Sequence, residues 1–496
     1  MQKRQTILVV ASLLVVVLSV TLAYFTAQII GEGKNISVTS TDLKIIFTDS
    51  DGSISGTNID PGKWNVTKKF TIENKSNETY KYNIVIQDLV NTFVTNGYLQ
   101  YKITSTNGGY NMTEFKDVPK SETATDTILA YSVSISVGVT QSYTVEFKYA
   151  NDESVDQSND MGKKLSGTLF ITEGTEDPNK TLYNQLLVDK STKLTRTDFS
   201  KVLTDNNTNT LYTGVEDSKT VYYFAGNATD NWVKFGKNAS NQDLYWRIIR
   251  TNSDGSVRLL YHGTSTTTTD AYIGTSAFNS SYDNIAYVSY MYGSLGSISS
   301  ARENTNNSTI KTTIDNWYIS NLEAKGYTKY LSTTAVYCND RSISSDSINF
   351  GAFTRLGTNK TPSYDCAATE DKFTVDTSTG NGKLTYPIAL MTADEVSFAG
   401  GLYGANTPTW YYYNSVNGSS TGSKFWWLLS PLDSSTSGSS MFIVRGSSNP
   451  GRLNYNYVYS NNGVRPALSL KSCVKYSSGD GSANEPYTIK ETETGC

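Results

Sequence analysis

A single histidine, His262, serves a chain of 496 residues. One imidazole cannot build a zinc site from histidine ligands, and no His-Glu-x-x-His stretch is present. His262 falls in "LLYHGT", where the reading is the end of a hairpin strand, not a catalytic group. Charge is sparse too. Charged residues make up 18% of the chain and the formal net charge is −4, below the usual quarter. The basic clusters of a nucleic-acid surface are missing, so no nucleic-acid partner is expected. The calcium-dependent sugar motifs EPN and WND are absent; Glu485-Pro486 is followed by Tyr487. "DSDGSISGTNID" (49–60) sets Asp49, Asp51, Ser53 and Asp60 at the first, third, fifth and twelfth places of a calcium loop. Its glycine stands fourth where the sixth is required and its last ligand is Asp, so a strand-connecting turn is expected. No metal or cofactor is implied.

Polarity comes instead from Asn, Ser, Thr, Gly and Tyr, which favour neutral hydrogen-bonding surfaces and turn-rich β architecture. Asn-x-Ser/Thr triplets such as those at Asn35, Asn65 and Asn77 arise by chance in such a chain and carry no assigned role. A length of 496 residues calls for two or three domains.

The N-terminus has one long apolar run. Lys3 and Arg4 precede the nineteen uncharged residues Ile7 to Phe25, which as a helix would reach about 28 Å, close to a bilayer's hydrocarbon core. Residues 1–27 are therefore a signal peptide or a signal-anchor helix with its N-terminus inside, and cleavage after Ala23 fits the small residues there. Either way the bulk of the chain is exported, to the cell surface or beyond. Four cysteines in an exported chain, Cys338, Cys366, Cys473 and Cys496, suggest disulfides over nucleophiles. Sequence order favours Cys338–Cys366 and Cys473–Cys496 among three formal pairings.

Residues 28–173 read as strands. "TKKFTIEN", "YKYNIVIQDL", "SYTVEFKYA" and "GTLFITEG" are β-branched and aromatic, with apolar and polar residues alternating, and a β-sandwich is the natural closure. In 174–203 charge rises and Leu182, Leu186 and Leu187 take helical spacing, which predicts a helical linker. Residues 204–472 mix strands with helices, an α+β domain. "DLYWRIIRTNSDGSVRLLYHG" (243–263) is a hairpin turning at Asn252–Gly255. Ile310, Ile314 and Trp317 mark one helix face. In "LMTADEVSFAGG" Thr392 and Glu395 form a capping box, with Gly400 or Gly401 ending the helix. Residues 473–496 read as a disulfide-tied tail.

Two resemblances follow. "AYFTAQ", then "STDLKIIFTDSD" and "IDPGKWNVTKKFTIENKSNETYKYNIVI", resembles the TasA/camelysin family of secreted biofilm-matrix proteins over about residues 20–173. That implies a jelly-roll-like sandwich and fibre assembly by strand exchange. Camelysin relatives have been classed as metallopeptidases, for which this chain gives no warrant. "YWRIIRTNSDGSVRLL", "FWWLLSPL" and "GVRPALSL" resemble an uncharacterised bacterial family marked by WWLRSP and GVRPAL strands. Leu429 stands where that family carries Arg, so no role passes to that position. The layout is also similar to the C-type-lectin-fold variable proteins of diversity-generating retroelements, which display a hypervariable surface just before the last strand. Formylglycine-generating enzymes use the same fold, but their cysteine motifs are missing here.

That placement meets an unusual stretch. Between Asn449 and Asn462, eight of fourteen residues are Asn or Tyr, where the chain average gives about two. AT-rich coding accounts for the average better than for the local excess, and the alternative reading is a glycine-bounded loop with no ligand. Tyr offers rigid contact area and Asn adaptable hydrogen bonds. The expected ligand-binding residues are Arg445, Ser447, Asn449, Arg452, Asn454, Tyr455, Asn456, Tyr457, Tyr459 and Asn461. The expectation is a surface-exposed, non-enzymatic binding or adhesion protein whose partner is a cell-surface or phage protein or a glycan. The alternative is a structural matrix protein that self-assembles through its sandwich.

Overall fold

The computed structural model describes residues 35–39, 44–49, 54–56, 61–178, 180–268, 271–343, 348–412, 425–435, 438–446 and 449–496. The apolar segment 7–25 and Ser447 lie outside the described residues, as does most of 49–60. No helix among the described residues is long and apolar enough to cross a membrane. The chain divides into two compact units, residues 1–178 and 179–496, and strand is the dominant structure.

The first unit holds two antiparallel sheets, an arrangement consistent with a β-sandwich. One runs in the order 35–39, 44–49, 65–74, 140–149, 99–105, 116–117, and the other 54–56, 165–173, 80–91, 121–135. Period-two alternation builds the core. Along 140–149, Gln141, Tyr143, Val145, Phe147 and Tyr149 point inward and are buried. They meet Ile84, Ile86, Leu169 and Ile171 of the other sheet in one apolar cluster. Buried polar groups are matched across it: the hydroxyls of Tyr82 and Tyr143 hydrogen-bond to each other and Tyr82 donates to Gln141.

The second unit has a large sheet and a smaller five-stranded sheet over a large core, with a second apolar cluster around Tyr223, Tyr364 and Phe398. Its first helix, α1 (Leu182–Asp189), lies in the segment read as a linker. Leu182 and Leu186 are buried in this unit's core, since a helix with three leucines at helical spacing needs a surface to cover them. The hairpin forms from β1 (Asp243–Thr251) and β2 (Val257–Gly263), antiparallel as expected. Helix α2 (Thr309–Tyr318) starts at Ser308, whose side chain accepts from Lys311 N–H, and buries Ile310, Ile314 and Tyr318. Strand β3 (Ile388–Leu390) leads into α3 (Ala393–Phe398), where Thr392 and Glu395 make the predicted capping box.

The smaller sheet carries β4 (Trp426–Ser435), β5 (Gly438–Val444) and β6 (Leu453–Tyr457) in that order, with β6 at its edge. Strand β7 (Pro466–Leu470) returns to the large sheet between β2 and β3. The segment read as a tail adds two more strands, 476–478 and 487–489, and the latter pairs with 232–237. Both expected disulfides are present. Cys338–Cys366 spans 5.7 Å between Cα atoms and Cys473–Cys496 spans 5.2 Å.

Candidate functional site

The Asn/Tyr stretch becomes the edge strand β6 and the turn after it. Registration with β5 fixes which way each residue faces. Arg445 N–H donates to Arg452 C=O, and Val458 N–H donates to Ser439 C=O. Asn454 and Asn456 therefore hydrogen-bond inward to β5, while the backbone groups of Leu453, Tyr455 and Tyr457 point to the open edge. The side chains of Leu453, Tyr455 and Tyr457 share one face.

Leu453 is covered; Tyr403 runs alongside it and stacks edge-on with Phe442 at 5.9 Å. Beyond Leu453 the cover ends. Tyr455, Tyr457 and Tyr459 are 40%, 42% and 49% exposed, and Tyr282 joins them at 42%. Tyr457 and Tyr459 lie nearly parallel at 5.9 Å, and Tyr282 sits 4.8 Å from Tyr459 and 6.5 Å from Tyr457. Gly438 makes room for this group. A Cβ there would come within 2.8 Å of the Tyr457 ring.

The expected site residues fall into two groups. Arg445, Asn449 and Arg452 occupy the loop joining β5 to β6. Arg445 lies over the Phe425 ring at 4.9 Å, and Arg452 donates to Asn449 at 3.2 Å. Tyr455, Tyr457 and Tyr459 follow Arg452 by three, five and seven residues, which puts Tyr457 about 16 Å along the strand from it. Asn454 and Asn456 are half-buried, and Asn461 is exposed. Val458 is buried and anchors the turn. Tyr282 and Tyr403 were not legible as partners, because they come from segments about 175 and 50 residues upstream. Burial raises the Tyr403 phenol pKa, with Tyr455 and Asp433 adding to it.

The motif residues do different work. Arg247 of "YWRII" stacks on Trp232 at 4.0 Å and donates to Asn231 and to the Ala228 carbonyl. Arg465 of "GVRPAL" lies over Trp426 at 4.8 Å and donates to the carbonyls of Tyr261 and Tyr411. Both are buried, so these sequence marks are core architecture. Leu429 is buried as well, its N–H donating to Met391 C=O.

His262 ends β2 in this same interior, edge-on to Trp232 at 4.4 Å. Burial, then Arg247 and Arg465, hold its pKa well below the ordinary imidazole value. The unfolded chain takes up this proton near pH 6.5, and the folded chain does not. The resulting stability is complete above about pH 6.5 and is lost as pH falls, at up to about 1.4 kcal/mol per pH unit. Urea midpoints at pH 7.5 and 5.5 should therefore differ for the wild type and differ far less for His262→Gln. An equal shift in both proteins would refute this.

A second polar cluster was missed. Glu395 accepts from Arg250 at 2.9 Å and from Arg258 at 2.7 Å, and Arg250 also donates to Glu216 at 2.7 Å. Beside it Arg355 bridges Asp340 and Asp394. The cavity between these groups measures about 10 Å³, room for one water. Burial raises the Glu395 and Glu216 pKa values, but the facing arginines outweigh it and hold both carboxyls below the usual range. A signal for this existed. Arg250 and Arg258 stand on either side of the predicted turn and face each other across the hairpin, a like-charge pairing that requires an acid between them. Among the described residues no group of three or more His, Cys, Asp or Glu is placed to hold a metal ion. In comparison with known proteins, no family model, no curated protein and no solved structure matches this chain.

Proposed function

We infer that this is an exported bacterial surface protein that binds a macromolecular partner through the tyrosine face at β6. The observation carrying this reading is the shared exposure of Tyr282, Tyr455, Tyr457 and Tyr459, four large rings left open beside a tightly closed core. Tyrosine loses few torsions on binding and supplies both ring area and a hydroxyl, and exposed aromatic patches mark interaction sites. A C-type-lectin-like second unit, tethered by the N-terminal apolar segment or released after cleavage, is the architecture that goes with this reading. The partner is a protein or glycan of another cell or a phage. Retroelement diversification of the 449–462 segment belongs to the same proposal. The rival reading, a matrix fibre, needs a strand donated between chains.

Labelled full-length chain should bind intact bacteria or phage particles, and Tyr455→Ala/Tyr457→Ala should weaken that binding at least tenfold, as hot-spot tyrosines do. The melting temperature should stay near that of the wild type. Equal binding by the two proteins, or a variant that unfolds, would sink the reading. Polymerisation that ignores these tyrosines would favour the fibre.

A further inference from the structure

An edge strand offers unpaired backbone groups to any other strand, and β6 is an edge. Four of its six outward groups are nevertheless occupied. Leu453 C=O accepts from Gly404 N–H at 3.0 Å, and Tyr457 C=O accepts from Ser460 N–H at 2.9 Å. The outward N–H of Tyr455 donates to the Asn454 side-chain oxygen at 2.8 Å, and that of Tyr457 to the Asn456 oxygen at 3.0 Å. Asn456 is itself fixed, donating to Asn462 at 3.3 Å and accepting from Ser460 at 3.1 Å.

We propose that Asn454 and Asn456 are edge guards: each amide oxygen takes the outward N–H of the tyrosine after it, so β6 displays its rings while withholding these two donors from a second strand. The Asn-Tyr-Asn-Tyr order then has a physical reason. Asparagine is a neutral side chain short enough to reach a neighbouring backbone N–H and able to accept there. Alternation aims every asparagine away from the ring face and every tyrosine onto it. A flat, apolar-flanked edge without such guards would invite pairing with a second copy of this chain. A partner of this surface is accordingly a folded surface meeting the rings, not an extended peptide added to the sheet. The guarding itself stands whether or not the tyrosines bind anything.

The test compares full-length wild type, Asn454→Val/Asn456→Val and Asn461→Val by sedimentation velocity at matched concentrations. Asn461 is an exposed asparagine outside the strand, so its variant controls for added apolar area. The double valine variant should shift to dimers or larger species, while Asn461→Val should sediment as the wild type. No shift in the double variant, or the same shift in the control, would overturn the proposal. Should the double variant fail to fold, Asn454→Ala and Asn456→Ala decide it by hydrogen exchange. The Tyr455 amide should exchange about tenfold faster in the first and the Tyr457 amide in the second, since each loses its acceptor. Unchanged exchange at both amides would equally overturn it.

Discussion

Glu395→Ala should destabilise the second unit by about 3–5 kcal/mol, enough to leave it largely unfolded at modest urea concentrations. Glu395 is 2% exposed, and one of its oxygens receives both Arg250 and Arg258. Its other oxygen receives Thr392 N–H and closes the capping box of α3. Removing the carboxylate leaves two guanidiniums facing each other across the hairpin, in an interior where Arg250 stacks on Tyr364 at 4.3 Å and Arg258 on Tyr337 at 4.5 Å. Glu216 pairs directly with Arg250 and reaches Arg258 only through space. The loss is thus of a desolvated counter-charge and a helix cap together, and it exceeds what a surface ion pair is worth. Six of the seven tryptophans lie in this unit, so tryptophan fluorescence in a urea titration reports it directly. Glu395→Ala combined with Arg258→Met should recover part of the loss, because one of the two stranded charges is gone. A Glu395→Ala variant within 1 kcal/mol of the wild type, on the scale of an exposed pair, would show that the network contributes little.

Strand positions and the hairpin were legible because period-two alternation and turn chemistry are local. The capping box of α3 was legible for the same reason, since both partners sit three residues apart. The unit boundary was harder. Residues 182–189 carry a helical pattern that reads the same for a free linker and for a helix docked on a core, and only the buried Leu182 and Leu186 separate the two. The strand within the disulfide-tied tail was not legible on similar grounds. "YTI" is too short to announce a strand, yet 487–489 completes the large sheet beside 232–237.

The site was half legible. Local excess of Asn and Tyr pointed to β6, and alternation placed three tyrosines together. It did not reveal that the two asparagines serve the backbone, because that depends on which edge of β6 is left open. Nor did it bring in Tyr282, which arrives from a distant segment and lies on Gly438 and Tyr459. Arg452 stays within electrostatic reach of Tyr403, as Tyr455 does, while Tyr457 lies further along the strand.

Trp427→Ala should cost the second unit about 3–5 kcal/mol while leaving the tyrosine face chemically intact. Trp427 is fully buried on β4, opposite Ile443 of β5. Its ring meets Phe278 edge-on at 5.8 Å, and its indole N–H donates to Ser276 C=O at 2.8 Å. Truncation opens a cavity of nearly a whole indole and strips a buried carbonyl of its donor, two losses that add. Ile443 and Phe278 cannot close the gap without moving β5, which pairs with both neighbours along its length. The comparison that matters is with Tyr455→Ala/Tyr457→Ala, whose rings are each at least 40% exposed and leave no cavity behind. Urea unfolding should separate the two variants clearly, Trp427→Ala shifting the midpoint strongly and the double tyrosine variant barely moving it. The reverse order would mean that the exposed tyrosines hold the fold and that β4 tolerates a void. The division of the stretch into core and display surface would then be wrong.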